Sequence, residues 1–343
     1  MKHHLNTLFV TIQGAYLAKD GQAVDVRVDH ESRLRVPIHN LGGIVCFGQV
    51  SASPQLMGMC AESGVAMTFL TEHGRFMARV SGFTPGNVLL RREQYRRADD
   101  SEMTLAITRN IVSAKIANSR TVLLRSIRDY PQSEGRSELE AAASCLARDG
   151  LQARRSLELD QLRGIEGNSA STYFSVFDHL ITDRRNGFTF SARSRRPPLD
   201  AVNALLSFLY SMLAHDARAA CEAAGLDAAV GYLHRDRPGR PGLALDLMEE
   251  FRSFLADRLA LSLINLKQIR AQGFTTTESG GVVMNDATRK IVLTAYQERK
   301  QETLMHPFLG EKTTVGLFIH LQARLLARHL RGDLDAYPPF IWK

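Results

Sequence analysis

The feature that most constrains this chain is a change of hydrophobic period near residue 85. Before it, apolar residues come in short, partly alternating runs at 7–12, 16–19, 24–28, 33–37 and 44–47. Gly14, Asp20-Gly21, residues 30–32 and Gly42-Gly43 punctuate them as turns, the pattern of β-strands. Ser53 suits a helix N-cap and Pro54 the first helical position, so a short helix to Glu62 is expected, then strands at 66–70 and 76–80. His30, His39 and His73 stand isolated in this region and read as surface or packing residues. After Thr84-Pro85-Gly86 helical spacing takes over, in long segments at 87–98, 103–128 and 137–160 with a loop at 130–135. The spacing predicts an α+β protein of two domains. They are a small β-rich, β-sandwich-like domain over 1–85 and a larger all-α domain over 86–343, and 343 residues with 44% apolar content allow a core in each.

Within the helical part, the chemistry gathers at His234–Arg252, HRDRPGRPGLALDLMEEFR. Pro241-Gly242 cannot continue a helix, and the leucine-rich run after it has helical spacing. Asp246 and Glu249, three apart, project from one face of that helix, and His234 sits on the loop before it. Imidazole with hard carboxylates and no thiolate suits Mg²⁺ or Mn²⁺, although acids near a helix start also complement its dipole. A further glutamate, Glu166, lies in Arg163-Gly164-Ile165-Glu166-Gly167, ahead of an expected aromatic helix at 171–180. Its small neighbours leave room for a metal or a phosphate. A basic loop at 188–198 leads into a buried helix at 200–224, where Asn203 must find hydrogen-bond partners and is expected to brace a loop. A hairpin is expected around Gly280-Gly281, then a helix running to Met305 and another at 314–331.

Lysine and arginine number 43 against 36 acids, a net charge of +7, and the arginines cluster. Arg193, Arg195 and Arg196 form one cluster, and Arg235, Arg237 and Arg240 another. Such a balance favours a polyanionic partner, because each neutralised phosphate releases counterions. The four cysteines show no C-x-x-C spacing and read as reduced thiols of a cytoplasmic protein. No apolar run approaches the roughly 18 residues of a membrane span. Gly310-Glu311-Lys312-Thr313 lacks the glycine spacing of a phosphate-binding loop, and H-E-x-x-H, G-x-S-x-G and G-x-G-x-x-G are absent.

Several stretches together resemble one family, the CRISPR-associated spacer-acquisition endonuclease, the integrase subunit of the adaptation machinery. They are Arg163 to Gly167, the block from Arg195-Arg196-Pro197-Pro198 to Asn203-Ala204-Leu205-Leu206, Gly225-Leu226-Asp227, His234, and Leu245 through Arg252. The sequence looks most like the type I-C branch. The resemblance implies a β-sandwich-like N-terminal domain followed by a helical catalytic domain. It places the family's metal-binding glutamate on Glu166, its histidine on His234 and the acid of the following helix on Glu249, with Asp246 a supporting acid of the catalytic set. It further implies Mg²⁺ or Mn²⁺, double-stranded and branched DNA as substrate, homodimers made partly through the β domains, and a small ferredoxin-like partner. Hydrolysis and transesterification follow from one site, because only the attacking oxygen differs, water or a DNA 3′-hydroxyl. The six clustered arginines are expected to neutralise phosphates beside the metal. Two other readings compete: a non-catalytic basic DNA-binding scaffold with the three ligands as buried structural residues, and a nuclease acting on RNA.

Overall fold

A computed structural model describes residues 6–72, 76–80, 82, 87–182 and 187–342. The chain divides into two compact units, Met1–Gly86 and Asn87–Lys343. His73 and residues 83–86 lie outside the described residues.

The first unit holds two four-stranded sheets. One has the order β1 (Asn6–Val10), β5 (Leu41–Phe47), β7 (Ala66–Leu70), β8 (Phe76–Val80). The other runs β4 (Glu31–Pro37), β3 (Ala23–Val28), β2 (Tyr16–Asp20), β6 (Ser51–Ala52). β5 pairs parallel to both β1 and β7. Parallel neighbours need a crossover rather than a tight turn, and between β5 and β7 it includes the helix α1 (Pro54–Glu62). Ser53 caps α1 through its Oγ, which accepts from Leu56 N at 3.2 Å. Ile44, Cys46 and Met67 of one sheet, Leu17, Val24 and Val26 of the other, and Leu56, Met59 and Cys60 of α1 share one core. His30 and His39 are exposed.

The second unit is helical: α2 (Val88–Asp99), α3 (Ser101–Asp129), α4 (Arg136–Arg155), α5 (Leu159–Ser175), α6 (Ala201–Ala223), α7 (Gly242–Glu249), α8 (Arg258–Asn265), α9 (Asp286–Gln301) and α10 (Val315–Leu330). A π-helical stretch, Arg252–Asp257, joins α7 to α8. Among the described residues no helix is long and apolar enough to cross a membrane.

Three local expectations change. The helix expected over 137–160 ends at Arg155, and a new one, α5, takes in the Arg163–Gly167 motif. Glu166 therefore stands within a helix, not ahead of one. Leu162, Ile165, Ser169 and Tyr173 are buried at three- and four-residue spacing, and burying that stripe outweighs the weak helix propensity of the two glycines. Of the aromatic helix expected at 171–180, residues 171–175 form the end of α5 and Phe177–Leu180 a 3₁₀ turn. Finally, the unit is not purely helical. β9 (Phe274–Thr276) and β10 (Val282–Met284) form the expected hairpin. The helix expected to reach Met305 stops at Gln301, because β11 (Thr303–Met305) pairs with β12 (Lys312–Thr314) instead. Gly310, at φ 66°, takes the left-handed conformation in the turn between those strands.

Candidate active site

Asp246 and Glu249 of α7 and Glu250, its C-cap, are buried, at 0%, 2% and 0% exposure. A carboxylate out of water must be paired or hydrogen-bonded, and these three find different partners. Asp246 takes the loop. Its Oδ2 accepts from Tyr232 N (2.5 Å) and Leu233 N (3.0 Å). Its Oδ1 accepts from His234 N (3.0 Å) and lies 2.6 Å from His234 Nδ1. A carboxylate oxygen already accepting a backbone N–H takes the imidazole proton too, so Nδ1 carries hydrogen and Nε2 is the nitrogen left to bind a metal. The loop lies this close to α7 because two glycines face each other. A Cβ on Gly231 would stand 2.6 Å from Asp246 Oδ2, and one on Gly242 would stand 2.6 Å from Ala229 O.

Glu249 takes the cations. Its Oε1 is 2.6 Å from Arg252 Nη1 and 3.8 Å from His234 Nε2. Its Oε2 is 2.7 Å from Lys115 Nζ but has no well-directed hydrogen bond. The same Lys115 ammonium, delivered by the middle of α3, also pairs with Glu166 Oε1 from α5. Burial by itself would raise the Glu249 carboxyl; Arg252, Lys115 and His234 together outweigh it and hold it at about 2.

The donor set fits a hard divalent ion in kind. Two carboxylates from different helices converge on one positive charge, and a histidine nitrogen oriented by Asp246 faces the same carboxylate. His234 Nε2 and Glu249 Oε1 stand 3.8 Å apart, wider than the roughly 3 Å between neighbouring ligands of an octahedral ion. Among the described residues, however, no three acids, histidines or cysteines already sit together as a metal cage. The ammonium of Lys115 stands between Glu166 and Glu249. Asp246 has no free oxygen to offer: it positions His234 and does not ligate.

A family model described as CRISPR associated protein Cas1 matches residues 8–298. The chain belongs to the Cas1 family. A CRISPR-associated endonuclease Cas1 from Chlorobaculum tepidum is 54% identical over 343 residues, the whole of both chains. Two solved structures share the fold. A casposase bound to integration product aligns with TM-score 0.83 at 21% identity, over 98% of this chain and 94% of the other. A Cas6-RT-Cas1–Cas2 complex aligns with TM-score 0.84 at 23% identity, over all of this chain and 36% of a longer one.

In this Cas1-family chain the clustered arginines divide. Arg193 is half-buried: its Nη1 donates to Asn203 Oδ1 (2.7 Å), its Nη2 to Ser207 Oγ (3.2 Å), and its guanidinium lies over the Tyr210 ring. It braces the loop and is removed from the phosphate-binding set. Asn203 completes the brace, accepting from Ser194 N and donating to Ala192 O and Asp200 Oδ2. Arg195, Arg196 and Arg237 are exposed, and Arg240 is partly so. Arg235 is exposed and pairs with Asp160 at 2.9 Å. Arg195 also lines a small cavity with Lys115, Tyr210, Arg252 and Asp257.

Sequence reasoning missed the roles of Lys115 and Arg252, and left open whether the aromatic tail from Tyr337 docks. Glu250 receives Tyr337 OH (2.6 Å), Phe340 N (2.7 Å) and Gln322 Nε2 (3.0 Å). Asn118, one turn beyond Lys115 on α3, donates to Glu250 O and Phe340 O and accepts from Trp342 N. The tail is thus tied to α3 and to the C-terminal end of α7, two of the three helices that carry the site.

Proposed function

We propose that this chain is a metal-dependent DNA endonuclease and integrase of CRISPR adaptation, cutting DNA and joining new spacers to the repeat array. The observation that carries the reading is the convergence of Glu166 and Glu249 on one positive charge, beside a histidine whose Nε2 is aimed by Asp246. The full-length relative named as an endonuclease and the casposase solved with an integration product support it. Mg²⁺ or Mn²⁺ held by Glu166, His234 and Glu249 supplies Lewis-acid polarisation of a phosphodiester. The chain's own residues do the rest. Asp246 fixes the histidine tautomer, and Arg252 sets a second positive charge beside the phosphate, where negative charge grows during displacement. Arg195, Arg196, Arg237 and Arg240 hold the flanking backbone. With water attacking phosphorus, the P–O bond to the departing strand breaks and two ends result; with a DNA 3′-hydroxyl attacking, a new phosphodiester replaces the old one.

The protein acts in the cytoplasm, as a homodimer and with a small ferredoxin-like partner. Edge strand β8, where Phe76 and Met77 are 53% and 60% exposed, suits a dimer contact. The solved neighbour described as a complex with Cas2 supports the second association.

A second reading, a non-catalytic DNA-binding scaffold, is favoured by one observation: Lys115 and Arg252 already neutralise the carboxylates. Cleavage and strand transfer on branched DNA, with and without Mn²⁺, separate the two in the wild type and in His234→Ala. Metal-dependent activity that vanishes in the variant while DNA binding persists supports the enzyme. Binding without activity in either protein, partner included, leaves the scaffold.

A further inference from the structure

Lys115 lies near the midpoint of α3, on a stripe with Ile111, Val112, Ala114 and Ile116, which are 0–2% exposed. Its own side chain is 12% exposed. An ammonium so enclosed needs anionic partners, and it has two, Glu166 of α5 and Glu249 of α7. We propose that Lys115 is a tethered counter-cation, occupying the Glu166–Glu249 pair when no divalent ion is bound, and that metal binding proceeds by displacing its ammonium. The proposal rests on the metal reading above and adds how the site is held before loading.

The physical case is one of exclusion. An ammonium and a divalent cation sharing the same carboxylate oxygens repel each other strongly in a poorly solvated site. The two are therefore alternatives. Lysine suits the role because its compact charge rides on a flexible four-carbon stem, whereas the Arg252 fork is more rigid. Space for the exchange exists on the Glu166 side. The Glu166 side chain is 25% exposed, and Lys115 itself lines a small cavity with Ser119, Ser169 and Asp257. His234 Nε2 is left out of the lysine's contacts and stands 3.8 Å from Glu249 Oε1. The metal-free chain thus folds with its acids neutralised, and apparent metal affinity is the intrinsic affinity reduced by competition with the lysine.

The test is Mn²⁺ binding by titration calorimetry to the intact wild-type chain, Lys115→Met, Lys115→Arg and His234→Ala. Lys115→Met keeps the apolar stem and removes the competitor; Mn²⁺ is expected to bind about tenfold more tightly, or better. Lys115→Arg keeps the charge and is expected to remain near the wild type. A measurement on the wild type guards against misfolding of the variants. Acetylation of the Lys115 amine, read by mass spectrometry, is expected to rise severalfold when Mn²⁺ is added. Equal Mn²⁺ affinity in wild type and Lys115→Met, or acetylation indifferent to Mn²⁺, overturns the displacement and leaves the metal reading standing. Absence of Mn²⁺ binding in every protein, or binding unaffected by His234→Ala, overturns the metal site itself and the displacement with it.

Discussion

Asp246→Asn is the sharpest perturbation of the site, because it changes one atom and almost no volume. The carboxylate receives hydrogen bonds from Tyr232 N and Leu233 N on Oδ2 and from His234 N and the imidazole on Oδ1. An asparagine oxygen replaces only one of those two oxygens. With the amide nitrogen at the Oδ2 position, two backbone N–H groups lose their acceptor and meet a donor instead. With it at the Oδ1 position, His234 N is orphaned, but the imidazole can adapt by moving its proton to Nε2 and accepting at Nδ1. The second arrangement loses one charge-assisted bond outright, about 1.5–3 kcal/mol, and weakens the others, so a total of about 2–4 kcal/mol is expected. It also puts hydrogen on the nitrogen that faces Glu249, where a lone pair is needed. Denaturant unfolding measures the first effect, and imidazole ¹⁵N shifts measure the second. Strand-transfer activity should fall with the tautomer change, even at a temperature where the variant is fully folded. A loss under about 0.5 kcal/mol with the proton still on Nδ1 would refute the clamp.

Other changes probe separate links. Gly231→Ala puts a methyl 2.6 Å from Asp246 Oδ2 and 2.7 Å from Gly242 C, and overpacking of that kind is expected to cost about 1–3 kcal/mol in unfolding experiments. Charge reversal at Arg195 and Arg196 is expected to weaken DNA binding and flatten its salt dependence at unchanged melting temperature, whereas Arg193→Ala is expected to lower the melting temperature. Burial raises the Glu250 carboxyl from 4.5 to about 8 against the hydrogen bonds from Tyr337, Phe340 and Gln322. A raised acid contributes stability that is complete below 4.5 and is lost as pH climbs through 8. The slope approaches about 1.4 kcal/mol per pH unit within that window. Glu250→Gln removes this part of the slope; wild type and variant falling in parallel between pH 5 and 8 would contradict it.

What could be read from the sequence was what depends on near neighbours. Period two before residue 85 and period 3.6 after it separate strands from helices. Ser53-Pro54 marks the start of α1 because a cap and its helix are contiguous. Asn203 was recognisable as a brace, since a polar amide inside an apolar helix has to bond something. Glu166 was singled out by its glycines but placed ahead of a helix rather than within one, because the stripe that makes it helical becomes visible only once α5 has something to pack against. Lys115 is 51 residues from Glu166, and Asn118 is 132 from Glu250. The only local trace of either was polar residues standing on an otherwise buried stripe of α3.

The separation of roles along α7 follows the same rule. Glu249 and Glu250 are adjacent, both acidic and both removed from water, and nothing in their sequence spacing assigns them different work. A helix turns about 100° per residue, so one faces α3 and α5 while the other faces the C-terminal tail. Burial pushes both carboxyls upward, and the partners decide the outcome. Glu249 meets the fixed positive charges of Arg252 and Lys115 and is held at about 2. Glu250 meets only neutral donors, a phenol, a backbone amide and a glutamine, and stays near 8. At Glu250 the neutral hydrogen bonds do not outweigh burial, whereas at Glu249 the cations do. Glu249 therefore arrives charged at a site suited to a metal, while its neighbour fastens the tail.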